Sequence, residues 1–163
     1  MTLRPWLTAW VGGLAGTAVM TAAIAAETAL RPDSDGPVDY DASDHVVQAA
    51  ATVLRRPQPR TARGRRRLFN VVHWGYGSAV ALAYVPLRRR VDSDLGAGVA
   101  FYLGCQAMAL TLFPTVGGTP PPWRWKRELL VSSFTVHALY AAAVVAVSRA
   151  GPQPPAAQMS QGM

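Results

Sequence analysis

The chain has 163 residues, of which half are apolar and 15% are charged, and its net charge is +7. This length allows one domain of ordinary size. Most of the acidic residues lie in two polar stretches, so four long blocks of the chain are almost free of charge. A soluble fold this small rarely needs four helices that are apolar all round, so the charge distribution argues against a soluble protein.

The four apolar blocks lie at residues 6–30, 68–87, 95–113 and 128–148. Each is close to the ~20 residues that a helix rising ~1.5 Å per residue needs to cross a ~30 Å hydrocarbon core. None alternates with period two, which argues against strands. The predicted fold is an all-α membrane protein, a compact four-transmembrane-helix bundle. It forms one domain over residues 1–150, followed by a Pro-, Gln- and Gly-rich segment, 151–163, that predicts a disordered tail.

The first apolar block has a second interpretation, which is a cleaved secretory signal. Arg4 supplies a weak basic region, and the sequence AIAAE places small residues before Glu27. The apolar run exceeds the ~7–15 residues of a signal core. We therefore expect the first helix to be retained.

A short helix is predicted at about residues 44–56, between the first two spans. Ser43 is a suitable N-cap, and Pro57 follows the helix end. One face of this helix is apolar and consists of Val47, Ala50, Ala51 and Leu54. Such an amphipathic helix either lies in the headgroup plane as an interfacial helix or packs against the bundle, and the sequence leaves both arrangements open.

Positive charge is distributed unevenly between the two sides of the predicted membrane. Loops 31–67 and 114–127 hold eleven Lys and Arg residues, whereas the other side holds five. Because translocation of Lys and Arg is disfavoured, we expect both long loops to be cytoplasmic and both termini to be outside. The Arg triplet at 88–90 runs against this bias. The chain is therefore predicted to cross a membrane several times.

The basic segment RRPQPRTARGRRR raises nucleic acid as a partner. It lacks interleaved aromatic residues and adjoins a predicted span, where a basic cluster more often contacts anionic lipid headgroups. We therefore expect the lipid bilayer, rather than nucleic acid, to be the partner. The predicted headgroup contacts are Arg63, Arg65, Arg66, Arg67, Trp123 and Trp125.

Small residues spaced by four allow helices to approach each other closely in lipid. This spacing recurs in three of the four apolar blocks. The glycines that we expect at helix-packing faces are Gly12, Gly16, Gly75, Gly96 and Gly104. The same faces would also allow contact with a second copy of the chain, in a homo-oligomer, or with another membrane protein.

Each apolar block carries its most polar side chain in the half nearest the two long loops. These side chains are Glu27, His73, Gln106 and His137. At ~1.5 Å per residue, they lie roughly 5, 8, 10 and 14 Å deep in the membrane, in that order. Polar groups in lipid are costly, so they face inward and pair with each other. The predicted intramembrane polar cluster consists of Glu27, His73, Tyr76, Gln106, His137 and Tyr140. Ordinary interhelical hydrogen bonds, which contribute about 0.6 kcal/mol each, are the structural alternative to a functional site.

Three functions are compatible with such a cluster. Passage of protons or of a small polar solute is favoured, because His titrates near neutrality and a nearby carboxylate tunes it. A non-catalytic scaffold or assembly protein is the alternative. Haem or metal binding by His73 and His137 is less favoured, because the sequence has neither a Glu-x-x-His pair nor metal-ligand spacing. No cofactor, metal or catalytic residue is predicted, since the sequence lacks hydrolase, phosphate-loop and zinc-protease motifs.

Several short motifs together resemble one protein family. They are GGLAGTAVM, a pre-span helix followed by a basic linker, NVVHWGYGSAVALAY, and a late PPW with Glu128 and His137-x-x-Tyr140. This combination is similar to the YagU-type family of small, uncharacterised bacterial inner-membrane proteins, over most of residues 10–145. The resemblance implies a four-helix or similar inner-membrane protein and supplies no activity, ligand or catalytic residue. The Asp-rich stretch at 33–44 and the Pro-rich tail depart from it.

The predicted orientation can be tested by labelling an introduced cysteine. A Ser160→Cys variant in a Cys105→Ala background is expected to react with a membrane-impermeant maleimide added to intact spheroplasts, because the charge bias places the C-terminus outside. An Arg60→Cys variant in the same background is the control and is expected to react only after lysis. The reverse pattern would contradict the orientation.

Overall fold

The computed structural model describes residues 3–31 and 43–150, and every regular element in these two ranges is helical. The α-helices are α1 (Arg4–Leu30), α2 (Ser43–Val53), α3 (Ala62–Val80), α4 (Tyr84–Arg90), α5 (Asp94–Val116) and α6 (Arg127–Ala150). Two 3₁₀ turns, Ala81–Ala83 and Pro122–Arg124, complete the described structure. The all-helical class is thereby confirmed. The tail at 151–163 and most of the acidic stretch at 33–44 lie outside the described residues.

Three helices, α1, α5 and α6, are long and apolar enough to cross a membrane. Many of their large apolar side chains are exposed on the protein surface, among them Leu7, Trp10 and Leu103. Such extensive apolar exposure is typical of a surface that faces lipid rather than water. Length, composition and exposure therefore all indicate that these three helices cross a membrane.

The second apolar block does not form one uninterrupted helix. It is divided into α3, a 3₁₀ turn at Ala81–Ala83, and α4. Pro86 explains the interruption, because proline has no N–H to donate to the carbonyl four residues earlier and its ring crowds that turn. The predicted span at 68–87 thus lies within a longer helical path, from Ala62 to Arg90, that is interrupted at this turn.

The last part of the basic segment before this block is helical rather than a loop. Helix α3 begins at Ala62, and the Thr61 side chain accepts a hydrogen bond of 3.1 Å from the Gly64 N–H. This N-cap satisfies one of the free amides at the helix start. The four arginines predicted to contact headgroups consequently lie in the first two turns of α3.

Helices α1 and α6 form a central antiparallel pair, with α3 packed on α1 and α5 packed on α6. We call the end that carries Leu30, Ala62, Val116 and Arg127 the loop end, and the end that carries Arg4, Arg90, Asp94 and Ala150 the opposite end. The fourth side of this bundle, between α3 and α5, has few close contacts. An open space therefore separates these two helices.

The central contacts depend on small residues of α1. Its buried residues are Ala9, Gly12, Gly13, Gly16 and Thr17. A Cβ added at Gly12 would lie 3.2 Å from the backbone oxygen of Val144, and one at Gly16 would lie 2.7 Å from the Tyr140 ring. The packing role predicted for Gly12 and Gly16 is thus found between α1 and α6. Gly13, which the spacing did not indicate, makes the equivalent contact with α3.

The other predicted packing glycines behave differently. A Cβ added at Gly75 or Gly104 would meet no atom within 4 Å, so these two glycines do not lie at a helix contact. Gly96 lies against the Ser93 side chain, which caps its own helix. The prediction was wrong for these three positions, because spacing alone does not tell which face of a helix meets a neighbour.

Helix α2 packs against α3 and α5 at the loop end, across the open side of the bundle. Val47 is 1% exposed, and Ala50 and Ala51 are also buried. The helix ends at Val53, so the predicted range of 44–56 is too long and Leu54 lies beyond it with 60% of its surface exposed. The sequence left open whether this helix lies in the headgroup plane or packs on the bundle. These contacts favour packing on the bundle.

The opposite end is closed by a packed core and an ion-pair network. Tyr84, Phe101 and Tyr140 stack edge to face or at a tilt within the buried core of this half. Asp94 bonds to both Arg88 and Arg149, which joins the ends of α4, α5 and α6. The bundle is therefore tight at the opposite end and more open at the loop end.

A pair of glycine substitutions tests the packing of α1. Gly13→Ala is expected to lower the free energy of unfolding by about 1–3 kcal/mol, because the new Cβ would lie 2.8 Å from backbone atoms of Ser78. Gly75→Ala is expected to be neutral or to stabilise by up to about 1 kcal/mol, because it faces open space within a helix. Unfolding of the detergent-purified variants measures both. Equal effects at the two positions would contradict the packing described above.

Candidate functional site

A cavity of about 230 Å³ lies among the helices in the half of the bundle nearest the loop end. Its wall is formed by α1, α2, α3, α5, α6 and the connection between α5 and α6. Most of the wall is apolar and includes Met20, Ile24, Val72, Leu112, Leu129 and Val136. A small number of polar groups interrupt this apolar surface, as is usual in sites for small molecules.

All three histidines of the chain line this cavity. His73 and His137 belong to the cluster predicted from the sequence. His45, on α2, was missed because it lies in a polar segment outside the predicted spans. Packing of α2 across the open side brings it to the cavity wall.

Hydrogen bonds to the protein define the neutral tautomer of each histidine. His45 Nδ1 lies 3.0 Å from the Gly117 carbonyl, and His137 Nδ1 lies 2.7 Å from the Ser133 carbonyl. A carbonyl only accepts, so in both rings Nδ1 carries the hydrogen and Nε2 is left as an acceptor.

His73 has the reverse tautomer. Its Nε2 lies 2.8 Å from the Thr21 hydroxyl, and that hydroxyl donates its own hydrogen to the Thr17 carbonyl at 2.7 Å. The Thr21 oxygen therefore accepts from Nε2–H, and Nδ1 of His73 is left as an acceptor. Phe69 stacks on the His73 ring at 5.0 Å and holds its orientation.

The structure brings the predicted cluster into one region but does not bond its members to each other. His73, Tyr76, His137 and Tyr140 line the cavity. The other two predicted members, Glu27 and Gln106, lie behind the wall and contact it through serines. The expectation that the six side chains would pair directly is thus replaced by bonds to hydroxyl and carbonyl groups.

Ser132 and Ser133 connect α6 to its two neighbours. Ser132 donates a hydrogen bond to Glu27 of α1, and Gln106 Nε2 of α5 donates to Ser133 Oγ at 3.2 Å. Consecutive residues on a helix diverge by roughly 100°, so an adjacent serine pair reaches two different helices. The sequence signal for this arrangement was the Ser-Ser pair within an apolar span, since hydroxyls bond across helices in membranes.

Tyr140 joins α6 to α3 at the inner end of the cavity. Its hydroxyl donates to the Gly77 carbonyl, and its ring is 4% exposed. A Cβ at Gly77 would collide with the Thr17 hydroxyl, so glycine is needed for this close approach of α3 to α1. Beyond Tyr140 the space between the helices is filled by the core.

Two buried polar atoms at the cavity have no hydrogen-bond partner within the described chain. They are Oε1 of Gln106, behind Ser133, and Oγ1 of Thr119, in the cavity wall. Gln106 is 3% exposed and Thr119 is 7% exposed. A buried polar group without a partner costs about 1–3 kcal/mol, so each such atom requires an explanation such as a bound molecule.

The connection between α5 and α6 covers the loop end of the cavity. Gly118 has a φ of +71°, a left-handed conformation that glycine adopts without strain, and the side chain of Gln48 lies against it. Trp125 donates from Nε1 to the Pro120 carbonyl at 2.7 Å and lines the cavity, whereas Trp123 is 83% exposed. The two tryptophans predicted as headgroup contacts therefore lie in different environments.

The same residues offer little for a metal ion. Among the described residues, no group of three or more His, Cys, Asp or Glu side chains converges closely enough to hold one. The three histidines line one cavity without forming a ligand set.

No protein-family model, curated protein or solved structure matches the chain. The resemblance to the YagU-type family stays a prediction from the short motifs.

A pair of tyrosine substitutions tests the link between α3 and α6. Tyr140→Phe is expected to reduce the free energy of unfolding by about 0.6–1.7 kcal/mol, the range for interhelical hydrogen bonds in membrane proteins. Tyr102→Phe is the control, because Tyr102 is half-buried on α5 and has no hydrogen bond within the described chain. Thermal unfolding in detergent compares them. A Tyr140→Phe variant as stable as the control would show that this hydrogen bond contributes nothing.

Proposed function

We propose that the protein is a four-span membrane protein that binds a small amphipathic molecule in the cavity. In this proposal α3 and α4 together form the fourth span, in addition to α1, α5 and α6. The observation that carries the proposal is a largely apolar wall in which three histidines and the buried, unpartnered Thr119 hydroxyl lie. The ligand would place its polar group among these side chains and its apolar part against the rest of the wall.

The tautomers indicate the chemistry of the polar group. Each histidine uses its N–H within the protein and keeps one acceptor nitrogen. The free acceptor nitrogens of the histidines complement a ligand that supplies a donor, such as an alcohol, a phenol or an amine. The volume of about 230 Å³ lies just below the ~300–1,000 Å³ of ordinary small-molecule sites, which favours a small ligand.

The packing of the opposite half favours binding over passage. Passage of protons or a polar solute would need a polar path that continues beyond Tyr140. That region holds the buried side chains of Ala81, Tyr84, Phe101 and Val144 instead. The cavity is therefore better suited to hold a molecule than to conduct one.

The proposed orientation places the loop end on the cytoplasmic side, in a bacterial inner membrane. The arginines in the first turns of α3 would then lie at the level of anionic headgroups, where each contributes roughly 1 kcal/mol. The exposed Trp123 would lie in the same interfacial layer. In this position α2 both covers the cavity and faces the interface.

Photolabelling tests the binding proposal. A diazirine-bearing octanol is expected to label wild-type protein in peptides of α5 and α6, and the methyl ether of the same molecule is expected to label it about tenfold less, because an ether has no donor. Val136→Trp should abolish labelling, since Val136 is 6% exposed and lines the cavity. Mass spectrometry of the digested protein locates the label.

The control for this experiment is Val131→Trp, because Val131 is 55% exposed on the same helix and lies outside the cavity wall. It should retain full labelling. Equal labelling of the two tryptophan variants would overturn the binding site, and equal labelling by alcohol and ether would overturn the donor preference. A proton flux in liposomes that His73→Ala abolishes would replace binding by passage.

A further inference from the structure

A second open space, of about 350 Å³, lies on the outer surface between α4 and α5. One wall comes from Val80 of α3, Ala83 of the 3₁₀ turn, and Pro86, Leu87 and Arg90 of α4. The other wall comes from α5 and contains Ala100, Phe101, Gly104, Cys105 and Met108. We call this space the lateral groove. Apart from Arg90, its lining is free of charge.

Arg90 is the member of the arginine triplet that the rest of the protein does not engage. Arg88 pairs with Asp94, and the Arg89 guanidinium lies 6.0 Å from the centre of the Trp6 ring. Arg90 has no ion pair, hydrogen bond or ring contact within the described chain, yet it lines the end of the lateral groove. A free cation at one end of an apolar groove complements an anion that carries a long apolar chain.

The length of the lateral groove matches one leaflet of a membrane. From Arg90 to Val80 the chain advances ten residues, which at ~1.5 Å per residue is about 15 Å. This is half of the ~30 Å hydrocarbon core of a bilayer. An acyl chain whose headgroup lies at Arg90 would therefore end near the middle of the membrane.

The lateral groove stays open because Gly104 has no side chain. A Cβ at Gly104 would meet no atom within 4 Å, so this glycine is not needed for helix packing. A larger residue there would instead extend into the space between α4 and α5. The lateral groove and the cavity also share Val80, Cys105 and Met108 in their walls, so the two spaces adjoin.

We infer that the lateral groove binds an anionic phospholipid of the leaflet at the opposite end, with its phosphate on Arg90 and one acyl chain along α4 and α5 as far as Met108. This inference rests on the proposed role of α3 and α4 as the fourth span. It explains why Arg90 is left unengaged on the side of the membrane where positive charge is otherwise sparse. A guanidinium is well suited to this role, because it forms paired hydrogen bonds with phosphate oxygens.

Native mass spectrometry of the detergent-purified protein tests the inference. Titration with phosphatidylglycerol and with phosphatidylcholine of the same chains is expected to give a single tight adduct, with a roughly fivefold preference for the anionic lipid. Arg90→Gln should remove the preference, and Arg90→Lys should retain part of it. Gly104→Leu should weaken both adducts, and Ala100→Leu offers a second way to fill the lateral groove if the first variant misfolds. Inorganic phosphate should not displace the lipid.

Matched controls keep the test specific. Gly75→Leu places the same side chain at another exposed glycine in open space, outside the lateral groove, and should leave both adducts unchanged. Arg66→Gln removes one charge at the loop end and should leave the preference unchanged. Equal lipid preference in wild type and Arg90→Gln would overturn the inference. Displacement by inorganic phosphate would also overturn it, because the site would then bind a free anion. Octanol labelling of the cavity is measured on the same variants. Normal octanol labelling together with an absent lipid preference would show that the lipid inference fails while the proposed binding function holds.

Discussion

The close approach of α1 to α3 and α6 is the constraint on which the rest of the structure depends. Lipid supplies no hydrophobic force between helices, so association relies on close packing and on hydrogen bonds. The glycines of α1 allow its backbone to meet α6 at Val144 and α3 at Ser78. These contacts fix how far each helix is shifted along its neighbour. They consequently place Thr21 opposite His73, and Glu27 opposite Ser132.

Because α3 and α5 are held by α1 and α6 rather than by each other, one side of the bundle stays open. The core around Tyr84 and Phe101 and the ion pairs of Asp94 close the inside of that side at the opposite end. At the loop end, α2 and the connection between α5 and α6 cover it. The cavity and the lateral groove are thus two parts of the same opening. The cavity lies beneath this cover, and the lateral groove lies on the outer surface.

The low polarity of the interior explains how the polar side chains are used. An unpaired polar group is expensive there, and each of the three histidines satisfies its N–H with the nearest carbonyl or hydroxyl. Direct pairing of Glu27 with a histidine is unnecessary once Ser132 and Arg31 contact the carboxylate. What is left over is one acceptor nitrogen on each histidine, together with the Thr119 hydroxyl in the cavity wall.

The sequence by itself determined the helical class and three of the long helices, because a run of about twenty apolar residues in lipid must satisfy its backbone internally. It also contained the cause of the break in the second block, Pro86, although its effect on the helix was not predicted. Spacing could not separate Gly12 from Gly75, since both patterns are alike and only the neighbours show which face is covered. His45 could not be assigned from a polar segment far from the spans. Only the tertiary structure decided these points, because the atoms that meet at the cavity come from helices distant in the chain, and their relative register is set by packing.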